Sequence, residues 1–350
     1  MAANVPIISR PDIAEIPKIS TDIDFAQDGK QMSFLKVPNS TNWSGWGSLL
    51  LPITVIQNGP GLTILFTGAS HGDEYEGPLA LTKLARELGP EQVRGRVIIM
   101  PALNYPALIA GTRLSPIDGR NMNRVFPGER DGTITLMIAH YVYHKLLPMA
   151  DVVVDMHSGG SSMIFAPCVV MHHLENPLLM ANTLAAVKTF GTPITLLLRE
   201  LDNVGMLDTA VEAMGKIFIS TELGGGAFVT PETMKLTDTG VHNLLKHFRI
   251  IEGEIDYPQH RGLPPTRVME VPETNGYIMA LADGLYEPMV EVGEPVLPGM
   301  ILGRVHFLDN LDHEPLNILA KRSGVLITRA GRGWVRRGDT VAVIAMDYWG

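Results

Sequence analysis

From residue 62 onward the chain alternates between two hydrophobic rhythms. Short, nearly unbroken apolar runs recur at Leu62-Thr63-Ile64-Leu65-Phe66-Thr67, Val97-Ile98-Ile99-Met100, Asp151-Val152-Val153-Val154-Asp155, residues 194–198 and Lys216-Ile217-Phe218-Ile219-Ser220-Thr221. Runs of this length and β-branched content predict strands covered on both faces. Between them the apolar period lengthens. Pro78 to Leu88 sets Leu79, Leu81, Leu84 and Leu88 at helical spacings, with Pro78 near the start, so it predicts a helix. Residues 133–147, 178–189, 204–214 and 237–249 read the same way. Strand and helix in alternation imply a largely parallel or mixed sheet flanked by helices. Residues 1–60 read instead as extended segments and turns.

The rhythm changes again near residue 252. Residues 252–267, which carry Tyr257-Pro258 and Gly262-Leu263-Pro264-Pro265, read as a linker. Beyond it, short strands alternate with Gly/Pro turns and no helical period is found, which predicts a small all-β domain. A chain of 350 residues exceeds what one core usually holds. We therefore expect domains at 1–262 and 263–350.

Composition narrows the function classes. No stretch of about 18 apolar residues occurs, so a spanning helix and a membrane partner are not expected. Met1 to Lys18 lacks a basic segment followed by an apolar core and does not read as a secretory signal. The single cysteine, Cys168, excludes an intrachain disulfide and fits a reducing cytoplasm. A formal net charge of −9 argues against nucleic-acid partners, while leaving room for a local cationic pocket.

The chemistry sits at the strand ends. Ser70-His71-Gly72-Asp73-Glu74 follows the first strand, His157 ends another in Asp155-Met156-His157-Ser158-Gly159-Gly160, and Glu222 ends a third in Thr221-Glu222-Leu223-Gly224-Gly225-Gly226. An open α/β sheet brings such residues to one crevice at the carboxyl ends of its strands. Alone, H-x-x-E recurs by chance in many chains. With a second strand-end histidine it completes two imidazoles and one carboxylate, the ligand set of an open catalytic zinc site. One Zn2+ per chain is expected on His71, Glu74 and His157, with Glu222 as a separate base. Asp155 and His157 share a strand face, so Asp155 either orients His157 or bonds nearby backbone. Gly111 to Gly128 holds Arg113, Arg120 and Arg124 in a turn-rich loop, and guanidinium groups there can grip a carboxylate or an oxyanion. His140 and His144, one helical turn apart, read as exposed. His172-His173 reads as loop, and Cys168 as packed.

The set H-G-D-E, N-x-N-R-V-F-P-G, D-M-H-S-G-G and T-E-L-G-G-G resembles the succinylglutamate desuccinylase/aspartoacylase family, over roughly residues 45–250. The resemblance implies a zinc carboxypeptidase-like α/β fold and an amidohydrolase of small N-acyl amino acids. It implies that Arg113 polarises the scissile carbonyl and that Asn123 and Arg124 hold a substrate carboxylate. Asn121 stands where relatives often have Asp. An arginine that aspartoacylases carry shortly before the catalytic glutamate is absent, and Asp208 and Glu212 stand in that stretch. The run G-A-S-H-G-D-E-Y-E-G-P with T-R-L-S-P-I-D-G-R-N-M-N-R is most similar to the bacterial branch that includes N-acetyl-diaminobutyrate deacetylases of ectoine degradation. Residues 276–344 resemble a biotinyl/lipoyl-like barrel, but Glu314-Pro315-Leu316-Asn317 occupies the place of the carrier lysine and Lys321 lies too close to Ser323-Gly324. Succinylglutamate desuccinylase or aspartoacylase activity, a metallocarboxypeptidase acting on peptides and a non-catalytic binding protein are the alternatives. A homo-oligomer is possible.

Overall fold

The computed structural model describes residues 18–199, 204–272 and 275–349. The reading of the N-terminus as no secretory signal falls almost wholly outside the described residues. In chain order the part before residue 262 contains β1 (Gly29–Pro38), β2 (Ser48–Asn58), β3 (Thr63–Gly68), α1 (Glu76–Glu87), β4 (Gly95–Met100), α2 (Tyr105–Ala110), α3 (Ile134–Tyr141), β5 (Val152–His157), β6 (Met163–Phe165), β7 (Cys168–His172), α4 (Pro177–Phe190), β8 (Ile194–Leu198), α5 (Leu207–Ala213), β9 (Ile217–Glu222) and α6 (Pro231–His247). The five expected strands are all present, within one or two residues of the sequence-based bounds.

Four differences have local causes. The helix expected over 133–147 leaves α-geometry at Tyr141 and passes through a π turn and a 3-10 turn; Pro148 in this last turn cannot donate to an α ladder. Helix α6 begins six residues earlier than its apolar period. Thr230 caps it by accepting from the Thr233 N–H at 3.0 Å, and Pro231 occupies its first position, a start signal that periodicity alone does not report. Helix α5 starts at Leu207 rather than 204. Finally, His172 is the last residue of β7 rather than part of a loop.

The central strands run β4-β3-β5-β9, all parallel. Every residue of β3 and β5 is buried, because helices cover both faces. Ile64, Phe66, Val152, Val154 and Met156 pack against α1, α4 and α6. Leu65 and Val153, one residue out of phase, pack against α3 and α5. Each such fully buried side chain contributes roughly 1.5–3 kcal/mol.

After Gly262 come β10 (Arg267–Glu270), β11 (Tyr277–Met279), β12 (Gly284–Pro288), β13 (Pro295–Val296), β14 (Ile301–His306), β15 (Leu316–Leu319), β16 (Gly324–Ala330), β17 (Trp334–Val335) and β18 (Thr340–Asp347). The stretch expected as a linker thus ends in a strand. β10 pairs in parallel with β8 and antiparallel with β18. The sheet therefore continues through residue 262 in the order β1-β2-β4-β3-β5-β9-β7-β8-β10-β18-β16-β13. A second sheet, β15-β14-β12-β17, packs on the C-terminal strands around Tyr286, Leu302, Val305, Leu326 and Ile344. The molecule is a mixed α/β fold with a small C-terminal sheet. Among the described residues, no helix is long and apolar enough to cross a membrane.

Candidate active site

The loop after β3 turns sharply. Ala69 adopts φ +52°, a left-handed backbone that costs a non-glycine residue energy and is concentrated at functional sites. Gly72 passes so close to α2 that a Cβ would lie 1.9 Å from the Ala107 backbone. This turn carries His71 and Glu74 over the carboxyl end of β3. His157 and Glu222, the last residues of β5 and β9, stand directly opposite each other in the ladder. The His71, Glu74 and His157 donor atoms lie within 4.8 Å of one another, and all three residues are buried.

The hydrogen bonds decide which ring nitrogens face inward. His71 Nε2–H donates to Asn121 Oδ1 at 3.1 Å, and His157 Nε2–H donates to Asp155 Oδ2 at 2.7 Å. Both Nδ1 atoms therefore point at the Glu74 carboxylate, at 2.8 and 2.9 Å. Asp155 is fixed in turn by the hydroxyls of Thr67 (2.6 Å) and Ser70 (3.0 Å). Two imidazoles with their outer nitrogens anchored and their Nδ1 atoms converging on a carboxylate fit a divalent cation.

Electrostatics say the same. Burial alone would raise the Glu74 pKa, but His71 and His157 more than offset it and hold it well below the usual range. Burial would depress His157; Asp155 and Glu74 override it and push the ring well above its ordinary value. Glu74 thus stays ionised between the two rings, and a metal binding there would displace the proton that His157 holds. Burial lowers the pKa of His71, which favours the neutral ring a metal requires. Glu222 behaves differently: burial, then the Glu74 charge, raise it to about 8. Its Oε2 is buried with no hydrogen-bond partner. Burial likewise raises Glu76 to about 7.

A cavity of about 490 Å³ opens over the cluster. Arg113 enters from its rim, Nη1 lying 3.3 Å from His71 Nδ1 and 3.7 Å from Glu74 Oε1. Asn123 and Arg124 also line it. Asn123 Oδ1 accepts the Leu207 N–H at 2.8 Å, tying the arginine loop to the start of α5. Every site residue expected from the sequence therefore reaches one cavity wall or stands directly behind it, as Asp155 does. The sequence reading missed four contributors. Asn121, noted only as a departure from the family pattern, is the acceptor for His71. Thr67 and Ser70 brace Asp155. His172 lines the cavity, with Nδ1 2.9 Å from Glu212 Oε2 and Nε2 3.9 Å from Asp208 Oδ2. Asn121 had a readable signal: its Oδ1 also accepts the Asn123 N–H at 2.9 Å, the local turn that an N-x-N spacing favours.

Comparison with known proteins joins this geometry to a family. Residues 60–248 match the model of the succinylglutamate desuccinylase/aspartoacylase catalytic domain. The chain belongs to this family. It is therefore an amide-hydrolysing enzyme of the deacylase type, and its His-Glu-His group is consistent with a metal cofactor. It is 44% identical to the N-alpha-acetyl-L-2,4-diaminobutyric acid deacetylase of Halomonas elongata over 327 residues, covering 93% of this chain and 94% of the relative. The family member from Rhodobacter sphaeroides matches with a TM-score of 0.91 at 46% identity, over 95% of this chain and all of the other. The product-bound ectoine utilization protein EutE (DoeB) of Ruegeria pomeroyi matches with a TM-score of 0.91 at 44% identity and the same coverage.

Proposed function

We propose that the protein is a zinc-dependent deacylase that hydrolyses N-acetyl-L-2,4-diaminobutyrate to diaminobutyrate and acetate. The observation that carries this reading is the convergence of His71 Nδ1, His157 Nδ1 and Glu74 beside the half-buried Glu222 in one cavity that Asp208 also lines. A zinc ion held by His71, Glu74 and His157 would supply Lewis acidity at the acyl carbonyl. Glu222 takes the proton of the attacking water and returns it to the leaving amine; its raised pKa suits both transfers. Arg113 stabilises the charge that develops on the carbonyl oxygen. Asn123 and Arg124 hold the α-carboxylate.

Substrate choice follows from charge. Asp208 lines the cavity, and Glu212 stands behind it on His172. A side-chain ammonium finds a carboxylate there. A second substrate carboxylate would be desolvated beside like charge, which is costly. The catalytic groups all fall within 1–262, whereas 263–350 is a barrel-like β region without a carrier lysine that walls the cavity. A reducing cytoplasm suits the single buried Cys168.

The test compares N-acetyl-2,4-diaminobutyrate with N-acetylaspartate and N-succinylglutamate by kcat/KM, before and after chelation and after zinc is restored. We expect the diaminobutyrate compound to be preferred, activity to vanish on chelation and zinc to recover it. Preference for either acidic compound would overturn the substrate. Full turnover in rigorously metal-free protein would overturn the metal mechanism.

A further inference from the structure

The cavity wall divides chemically. Its charged groups all come from residues up to Glu222, with His172 and Asp208 a separate pair away from the His71, Glu74 and His157 cluster; every lining residue that follows Glu222 in the sequence is uncharged. Val170, Leu196, Val271, Ile327 and Val343 form an apolar stretch. Strand registers put them on one sheet face. Val170 stands opposite Leu196, and Leu196 opposite Met269, so Val271 two residues on shares that face. Met269 stands opposite Asp347, which puts Val343 on it as well. Val343 opposes both Tyr277 and Thr328, and Thr328 opposes Phe165. The register slips between Leu326 and Thr328, a bulge that lets Ile327 and Thr328 both line the cavity. At its other end the same face reaches the chemistry, because Val170 opposes Ser220, two residues from Glu222.

An apolar track, interrupted by the hydroxyls of Ser220 and Thr328, thus leads from beside Glu222 to the C-terminal strands. The charged ends of an N-acyl amino acid cannot lie on it without an uncompensated desolvation cost; they belong with Arg124, Asp208 and His172. The acyl group is what remains to occupy it. Acetyl fills little of a cavity of about 490 Å³, and each further methylene buried there improves binding by about fourfold. We propose that this track is an acyl-chain site, built largely by the C-terminal β region, and that the enzyme deacylates linear acyl groups longer than acetyl. The inference rests on the deacylase reading.

The experiment uses the full-length, zinc-loaded enzyme with Nα-acetyl-, Nα-butanoyl- and Nα-hexanoyl-2,4-diaminobutyrate. The expected result is kcat/KM for at least one longer compound no lower than about a tenth of the acetyl value, since a clash would cost more than that. Both longer compounds falling below a tenth would overturn the proposal. In Val343→Phe the hexanoyl-to-acetyl ratio should fall by about tenfold or more; an unchanged ratio in a folded variant would overturn it too. If that variant fails to fold, the wild-type series decides alone. No hydrolysis of any of the three compounds would instead overturn the deacylase reading.

Discussion

At the strand-end side of the cavity, His71, Glu74, His157 and Asp155 hold one another through directed bonds of 2.7–2.9 Å, while Thr67, Ser70 and Asn121 hold them from behind. At the C-terminal side, Val271, Ile327 and Val343 meet only through dispersion and the exclusion of water. Both ends belong to one sheet face, yet they tolerate change differently. A hydrogen-bonded charge cluster in a buried site loses most of its value when one member is removed, because the partner is left uncompensated. An apolar wall loses a little per methylene and can repack.

Three substitutions test that contrast, taken from the largest expected effect downward. Glu222→Gln should retain metal and lower kcat by on the order of 10²–10⁴; loss of the metal would show that Glu222 is a ligand rather than the base. The same variant has a pH signature in metal-free protein. Glu222 is raised to about 8 in the fold, so the folded state holds a proton that the unfolded chain releases above the ordinary carboxyl value. Stability therefore falls as pH rises from about 4.5 through 8. The drop in thermal midpoint between pH 6 and pH 8 should be smaller in the variant; Glu76, raised to about 7, and His157, raised well above its ordinary value, supply the part that remains. An equal drop would mean Glu222 is already ionised.

Asp155→Asn comes next. It keeps the shape but removes the charge that His157 Nε2–H donates to, and metal affinity should fall by about 10–100-fold in a chelator competition. Unchanged affinity would show that the ring needs no charged anchor. The smallest effect belongs to the apolar end. Ile327→Val should cost about 0.5–1.5 kcal/mol in denaturant unfolding with metal content unaltered. Loss of metal there would break the separation between the two ends.

The candidate site was unusually legible because its residues sit at the ends of strands that announce themselves. An apolar run such as Val152 to Val154, followed by His157 and glycines, states both that a strand is buried and where its crevice begins. The outer strands β1 and β2 were read only as extended segments, since their faces are partly exposed and Pro52 interrupts the apolar run of β2. The start of α6 was missed because a cap, not a period, defines it. His172 was read as loop because the short β7 is recognisable only by its partners, β8 and β9.

By itself the sequence determined the α/β rhythm, five strands of the large sheet, and the types and order along the chain of the candidate ligand residues. These depend on local periodicity and on residues whose chemistry is fixed by type. Tertiary structure alone decided the rest. It showed that Nδ1 rather than Nε2 of each histidine faces the centre, because Asn121 and Asp155 claim the outer nitrogens. It tied Glu212 to His172, although the two are far apart in the chain. And it ran the catalytic sheet through β10 into β18 and β16, so that residues beyond 262 line the same cavity as His157. Such pairings join strands separated by scores of residues, and neither composition nor period records which edge a strand will find.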